Sequence, residues 1–190
     1  MPKSKRSCWP IKDGDTLMQE YHDIEWGVPL FDDQKIFEFL VLESAQAGLS
    51  WQIVLRKREN YRKVFADFDP RKVAKFDAKK TAKLLKDPGI IRNLAKIEAA
   101  INNARAFLQV QKEFGTFSKY IWEFVGNKPI CNRWKTIKDL PAKTEIAERL
   151  SGDLKRRGFK FLGPTVIYAH IQATGMVNDH LAGCFRWGEV

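Results

Sequence analysis

Apolar residues recur along most of this chain with the period of an α-helix, and turn-forming residues cut the pattern into a succession of helices. From Asp15, a suitable N-cap, Leu17, Met18 and Tyr21 fall on one side of a short helix ending before Gly27-Val28-Pro29. Between Asp33 and Ala47 the spacing of Ile36, Phe37, Leu40 and Val41 predicts one buried face. Gly48 suits the left-handed residue that closes a helix and Ser50 the cap of the next. Trp51–Phe65 then reads as a separate helix, with Val54, Tyr61, Val64 and Phe65 inward and Arg56, Lys57, Arg58 and Glu59 in solvent. After Phe68-Asp69-Pro70, short helices over Arg71–Phe76 and, behind an Asp77 cap, Ala78–Lys86 lead to the turn Asp87-Pro88-Gly89. A long helix, Ile91–Gln111, follows with Leu94, Ile97, Ile101, Ala104 and Leu108 as its apolar seam. Phe117–Val125, a loop-rich Gly126–Pro141, Thr144–Arg157 and Pro164–Thr174 complete the set, the last with Pro in its first turn and Gly175 past its end. No alternating strand, repeat or low-complexity linker interrupts it. The pattern predicts an all-α protein forming a single domain over 1–190, burying ~70% of its unfolded surface.

Glu43 breaks the pattern. A carboxylate in the apolar half of a helix is costly unless it has a partner or a task. This one precedes, by about a turn, the corner Gln46-Ala47-Gly48-Leu49-Ser50 and the large aromatic Trp51. Charge narrows the partner: 33 Lys and Arg against 23 Asp and Glu leave +10, spread along the chain. That excess favours nucleic acid first and an anionic membrane surface second, although a merely basic soluble surface fits it too. Three cysteines, Cys8, Cys131 and Cys184, are too few and odd in number for a disulfide framework. No run approaches the ~18 apolar residues of a membrane span. A cytoplasmic, intracellular protein is expected.

Three groupings could carry chemistry. In the element over about 78–111, Asp87-Pro88-Gly89-Ile90-Ile91 joins two helices in a tight turn surrounded by Lys83, Lys86, Arg92 and Lys96. Backbone N–H groups at such a turn and at the next helix N-terminus can hold a phosphate, as in a helix-hairpin-helix element, though an ordinary αα-corner reads the same. His180-x3-Cys184 has a spacing suited to zinc, and Cys8 and His22 would complete four ligands, clipping the N-terminal arm to the C-terminus. The alternative is two surface histidines and two buried thiols. His170, in an apolar helix, reads as a satisfied core or surface residue. Finally Trp9, Tyr21, Trp26 and Trp51 cluster in the N-terminal quarter with Glu43. Aromatics usually fill cores, but these around a carboxylate are also what a flipped purine requires.

Taken in order, Tyr21-His22-Asp23-x-Glu25-Trp26-Gly27-Val28-Pro29, Glu43-x-x-Gln46-Ala47-Gly48-Leu49-Ser50-Trp51, Lys57–Tyr61, Gly89–Arg92, Asn103–Ala106, Lys155–Phe161 and Val177–His180 resemble the DNA-3-methyladenine glycosylase I family, over about residues 6–185. The resemblance implies a helix-hairpin-helix DNA glycosylase fold of two helical lobes with the base pocket between them. It implies a monofunctional repair enzyme on duplex DNA that removes 3-methyladenine and more weakly 3-methylguanine and leaves an abasic site; a monomer is expected. By position, Glu43 would recognise the base, Tyr21 and Trp51 sandwich it, and Trp9 and Trp26 line or support the pocket. Gln46, Gly48 and Leu49 would belong to a wedge that fills the gap in the duplex. Pro88, Gly89, Ile90, Ile91, Arg92 and Lys96 would grip phosphates, and Cys8, His22, His180 and Cys184 would hold one structural zinc ion.

Two positions depart from the family. Cys8 and Trp9 are adjacent where one residue usually separates them, so either Cys8 still ligates or Ser7 occupies the ligand's register. Ala169 stands where some relatives carry a polar residue near the base. Ala104–Lys112 contains no Asp at the place where many helix-hairpin-helix glycosylases carry an essential one, and the hairpin contains no Lys nucleophile, so no strand cleavage is expected. A non-catalytic binder of alkylated or distorted DNA on the same scaffold is the rival reading.

Overall fold

The computed structural model describes residues 7–190. Nine α-helices are described: α1 (Thr16–Glu20), α2 (Asp33–Gln46), α3 (Trp51–Val64), α4 (Pro70–Val73), α5 (Ala78–Lys86), α6 (Leu94–Phe114), α7 (Phe117–Trp122), α8 (Glu145–Arg156) and α9 (Pro164–Ala173). A π-helical turn, Tyr21–Glu25, continues α1. Two of the expected caps operate, the carboxylates of Asp15 and Asp77 accepting from the Met18 and Lys80 N–H groups, and Asp69 adds a third on Arg71, whereas Ser50 stands at the N-cap of α3 without a side-chain cap bond. The all-α reading holds, with one small addition. Ile130–Cys131 (β1) and Val177–Asn178 (β2) pair in parallel, Ile130 with Val177 and Cys131 with Asn178. Two residues are too few to produce a visible alternation.

Helix α2 is the centre of the molecule. Ile36 to Ala45 are all buried, not one face of them, because α2 packs against α3, α6, α7 and α9. Such a helix shows little amphipathicity, and its polar residues must find partners inside the protein. Glu38 does so with Arg58 and Arg62 of α3, and Arg58 also grips Glu25 through two bonds of 2.6 Å. Arg58 is therefore buried, contrary to its expected place in solvent, and Val64 is only half-buried. A second, smaller apolar cluster gathers Cys8, Tyr21, Trp26, Phe39, Leu55, Ala173 and Cys184, joining the N-terminal arm to the C-terminal segment.

The hairpin also departs from expectation. Helix α6 begins at Leu94, capped by Asn93, instead of at Ile91, and Leu94 is 48% exposed instead of in the seam. Ile90 turns into the core. The Gly89 N–H donates to Asp87 Oδ1 at 2.7 Å and the Ile91 N–H to Tyr61 Oη at 3.0 Å, so both are taken up within the protein. Lys57 and Asn60 of α3 hold the same turn, through Pro88 O and the Asp87 carboxylate. The glycine has an internal reason as well. A Cβ at Gly89 would lie 2.1 Å from Asn60 Nδ2. We expect Gly89→Ala to push Asn60 off Asp87 and cost about 1–3 kcal/mol, read as a fall in thermal midpoint; an unchanged midpoint would contradict the packing argument.

Candidate active site

A cavity of about 340 Å³ opens beside the second, smaller apolar cluster. Its walls come from the arm (Cys8, Trp9), α1 and the π turn (Met18, Tyr21), α2 (Glu43, Gln46), α3 (Trp51), α9 (Ala169, Gln172) and residues near Asp179. The loop-rich segment contributes Ile137 and Leu140. The lining is largely apolar and aromatic, so the few polar groups in it decide what can enter.

Glu43 is the first of these. Only 3% exposed, it lies in the last turns of α2, and its Oε2 is 2.9 Å from Nδ1 of His170 on α9. Burial raises the Glu43 pKa above the ordinary carboxylate value, and the contact with His170 pulls it partly back. Asp179 is the second. Its carboxylate accepts from Asn132 (2.7 Å), the Trp134 indole (2.7 Å), Tyr168 Oη (2.5 Å) and Gln172 (2.8 Å), so it is fully engaged and fixed. Tyr21 and Trp51 stand together, ring centroids 5.3 Å apart and inclined by 45°. Trp9 meets Trp26 edge to face at 4.7 Å.

Behind this wall Cys8, His22, His180 and Cys184 are all buried, with one donor atom from each lying within 4.8 Å of the others. Cys8 Sγ is 3.1 Å from His180 Nδ1, and Cys184 Sγ is 3.5 Å from His22 Nε2 and 3.7 Å from His180 Nδ1. A tetrahedral ion with sulfur at about 2.3 Å and nitrogen at about 2.0–2.1 Å sets its S···N edges near 3.6 Å. The donor set fits a metal ion. Each histidine's other nitrogen is also held, His22 Nδ1 by Asp23 at 2.6 Å and His180 Nε2 by Trp26 O at 3.0 Å, the outer-shell support that metal ligands use. Cys8 occupies the cluster, while Ser7 Oγ donates to Trp9 O; the adjacency of Cys8 and Trp9 is accommodated with the thiol inward.

The corner after α2 presents Leu49 at its tip, 39% exposed, with Gly48 at φ +83°, a region that favours glycine. Lys96, expected on phosphate, instead turns its ammonium onto Ala45 O (2.8 Å) and Ala47 O (2.6 Å), closing the carbonyl end of α2. Arg92 is exposed beside it.

The sequence profile of the methyladenine glycosylase family matches residues 9–187. The DNA-3-methyladenine glycosylase 1 of Escherichia coli (strain K12) is 48% identical over 170 residues, 90% of this chain and 91% of that protein. The chain belongs to the methyladenine glycosylase family. A crystal structure of a 3-methyladenine DNA glycosylase I superposes with a TM-score of 0.91 at 44% identity, covering 95% of this chain and 98% of that one. One from Staphylococcus aureus, described for its recognition of 3-methyladenine, superposes at 0.88 with 39% identity, covering 90% and 92%.

Where the resemblance implied a sandwich, the rings of Tyr21 and Trp51 form two adjacent walls in this structure. A flat ring between parallel faces needs about 7 Å, twice a carbon–carbon contact, more than their 5.3 Å. Ile90, named for the phosphate grip, is 2% exposed, so its side chain serves the core. Among the residues that line or support this cavity and that the sequence does not mark as such, two are titratable, His170 and Asp179. His170 is neither satisfied nor superficial: it is 1% exposed, and its Nε2 has no partner among the described residues. Asp179 was noticed only as part of a motif. The partner of His170 lies 127 positions away, beyond what spacing reveals.

Proposed function

We propose that this chain hydrolyses the N-glycosidic bond of 3-methyladenine in alkylated DNA, and more weakly that of 3-methylguanine, leaving an abasic site. The observation that carries this reading is the Glu43 carboxylate on the wall of an aromatic cavity. Methylation at N3 makes the purine cationic and already weakens its bond to the sugar. The aromatic faces of Tyr21 and Trp51 attract such a ring, and Glu43 accepts hydrogen bonds from its nitrogens. A neutral adenine gains neither the charge attraction nor the weakened bond. On cleavage the bonding pair stays with the departing ring nitrogen, water adds to the sugar carbon, and one proton is lost from that water. The base leaves neutral.

The net charge of +10 supports duplex DNA as the partner, approached as a cytoplasmic monomer. The exposed Leu49 at the tip of the corner after α2 suits a wedge in the emptied stack, with Gln46 and Gly48 shaping it. Pro88, Gly89, Ile91 and Arg92 lie along the phosphate side of the hairpin in this reading, the grip falling to Arg92 and to the free N–H groups at the start of α6. Lys96 acts indirectly, by tying α6 to the wedge. Cys8, His22, His180 and Cys184 are read as ligands of one zinc ion, which would tie the arm bearing Trp9 to the C-terminal segment and take no part in bond breaking. The hairpin has no lysine between Pro88 and Ile91, so strand cleavage is not expected. Incubation with N-methylated duplex should therefore yield abasic sites without nicks. Tight binding that leaves every base in place would favour the non-catalytic reading instead.

A further inference from the structure

His170 has a geometry that excision as described so far does not use. Its side chain and that of Glu43 are almost wholly enclosed, 1% and 2% exposed, and Nδ1 meets Oε2 at 2.9 Å. His170 is absent from the cavity lining while Glu43 is part of it, so the imidazole stands behind the carboxylate. The other ring nitrogen, Nε2, is buried without a partner among the described residues. That constrains the proton. A neutral ring with its hydrogen on Nδ1 donates to Glu43 and leaves only a lone pair unmet. A cationic ring, or the other tautomer, would leave a buried N–H unmet, which costs more. The low-cost state is thus a neutral imidazole donating to an ionised carboxylate.

We propose that His170 is a positioning residue for base excision: it holds the Glu43 carboxylate ionised and turned so that its remaining lone pairs meet the cationic base. A glutamate has three side-chain torsions, and in an apolar wall nothing else described here fixes the last of them. The dyad carries one net negative charge, matched to the single positive charge of an N3-methylated purine. Without the donor, burial acts on Glu43 alone and favours its neutral acid, which attracts a cation far less. The other titratable groups on the cavity wall are Cys8, Tyr21 and Asp179, with Arg58 facing Tyr21 from α3. They are the same in every variant below.

The inference rests on the excision reading, and the test separates the two. Single-turnover release of 3-methyladenine from methylated duplex is measured against pH for wild type, His170→Phe, His170→Gln and His170→Asn. Asn places an amide N–H near the Nδ1 position, and Gln places it near Nε2, away from Glu43. We expect the Phe and Gln variants to lose about tenfold or more at neutral pH, the weight of a hydrogen bond to a charged group. Their acid limb should move to higher pH, while Asn recovers most of both. Wild-type rates and profiles in Phe and Gln, with or without a loss of stability, would overturn the role of His170. Should Phe fail to fold, the contrast between Gln and Asn decides; equal behaviour of those two would overturn it as well. Absence of release by wild type would instead overturn the excision reading.

Discussion

Glu43→Gln is expected to reduce release of 3-methyladenine by at least about 100-fold while changing DNA affinity less than twofold. The carboxylate is the anionic group of the cavity wall left available to a cationic base, since the oxygens of Asp179 are occupied by four donors. An amide of the same shape accepts only at its oxygen, donates at its nitrogen and brings no charge. Loss of a charged partner in a water-poor site costs factors of about 10²–10³. Affinity for DNA is set mainly by phosphate contacts and salt, and the proposed binding mode places those contacts on the hairpin and wedge side. The same change should stabilise the fold at neutral pH. The pKa of Glu43 is raised by burial, so its ionised form subtracts from stability above that pKa. Below the ordinary value near 4.5 the carboxyl is protonated in folded and unfolded chains alike, and the difference disappears. Thermal midpoints should therefore be higher for Glu43→Gln at pH 7, by roughly 2–4 °C per kcal/mol recovered, and equal to wild type in acid. A variant that excises at the wild-type rate would remove Glu43 from the reaction.

Loss of the proposed zinc ion should lower both stability and activity. Metal analysis of purified protein is expected to give one zinc ion per chain, and Cys184→Ser to give none. The four ligands come from the arm, the π turn after α1 and the segment after α9, regions otherwise joined by a small apolar cluster. Without the ion the cluster is a set of buried, mutually close donors. The Cys8 thiol is then pushed up to about 12, chiefly by burial, so it stays protonated and offers no charge to hold the arm. Trp9 and Trp26 sit on this support, Trp9 edge-on to His22 at 4.9 Å. Loosening the arm therefore disturbs the base pocket. We expect a fall in thermal midpoint on the order of 10 °C, what a loss of about 4 kcal/mol does in a chain of this size, with a parallel loss of excision. A fully active, metal-free protein of wild-type midpoint would contradict the clip.

Local signals in the sequence carried much of the fold and half of the site. Asp15, Asp77 and Pro164 announce helix starts by capping chemistry that depends on a few neighbours, and each lies where expected. Glu43 was conspicuous because an apolar run makes a carboxylate costly. What escaped depends on partners far away in the chain. Arg58 looked solvated because Lys57 and Glu59 flank it, yet Glu25 and Glu38 draw it inward. Lys96 looked like a phosphate ligand, but the carbonyl end of α2 is nearer. Ile137 and Leu140 belong to a segment without periodicity, so nothing marked them as a cavity wall. His170 follows the apolar pattern of its helix well enough to pass as core, which it is, and its contact with Glu43 comes from a distant helix.

The most direct measurement is chromatography of the bases released from N-methylated duplex DNA by purified wild-type protein. Free 3-methyladenine should appear well ahead of every other base, with an abasic site left for each molecule released. Undiminished 3-methyladenine in the recovered DNA, under conditions where the protein binds it, would contradict the reading of this cavity as an excision site.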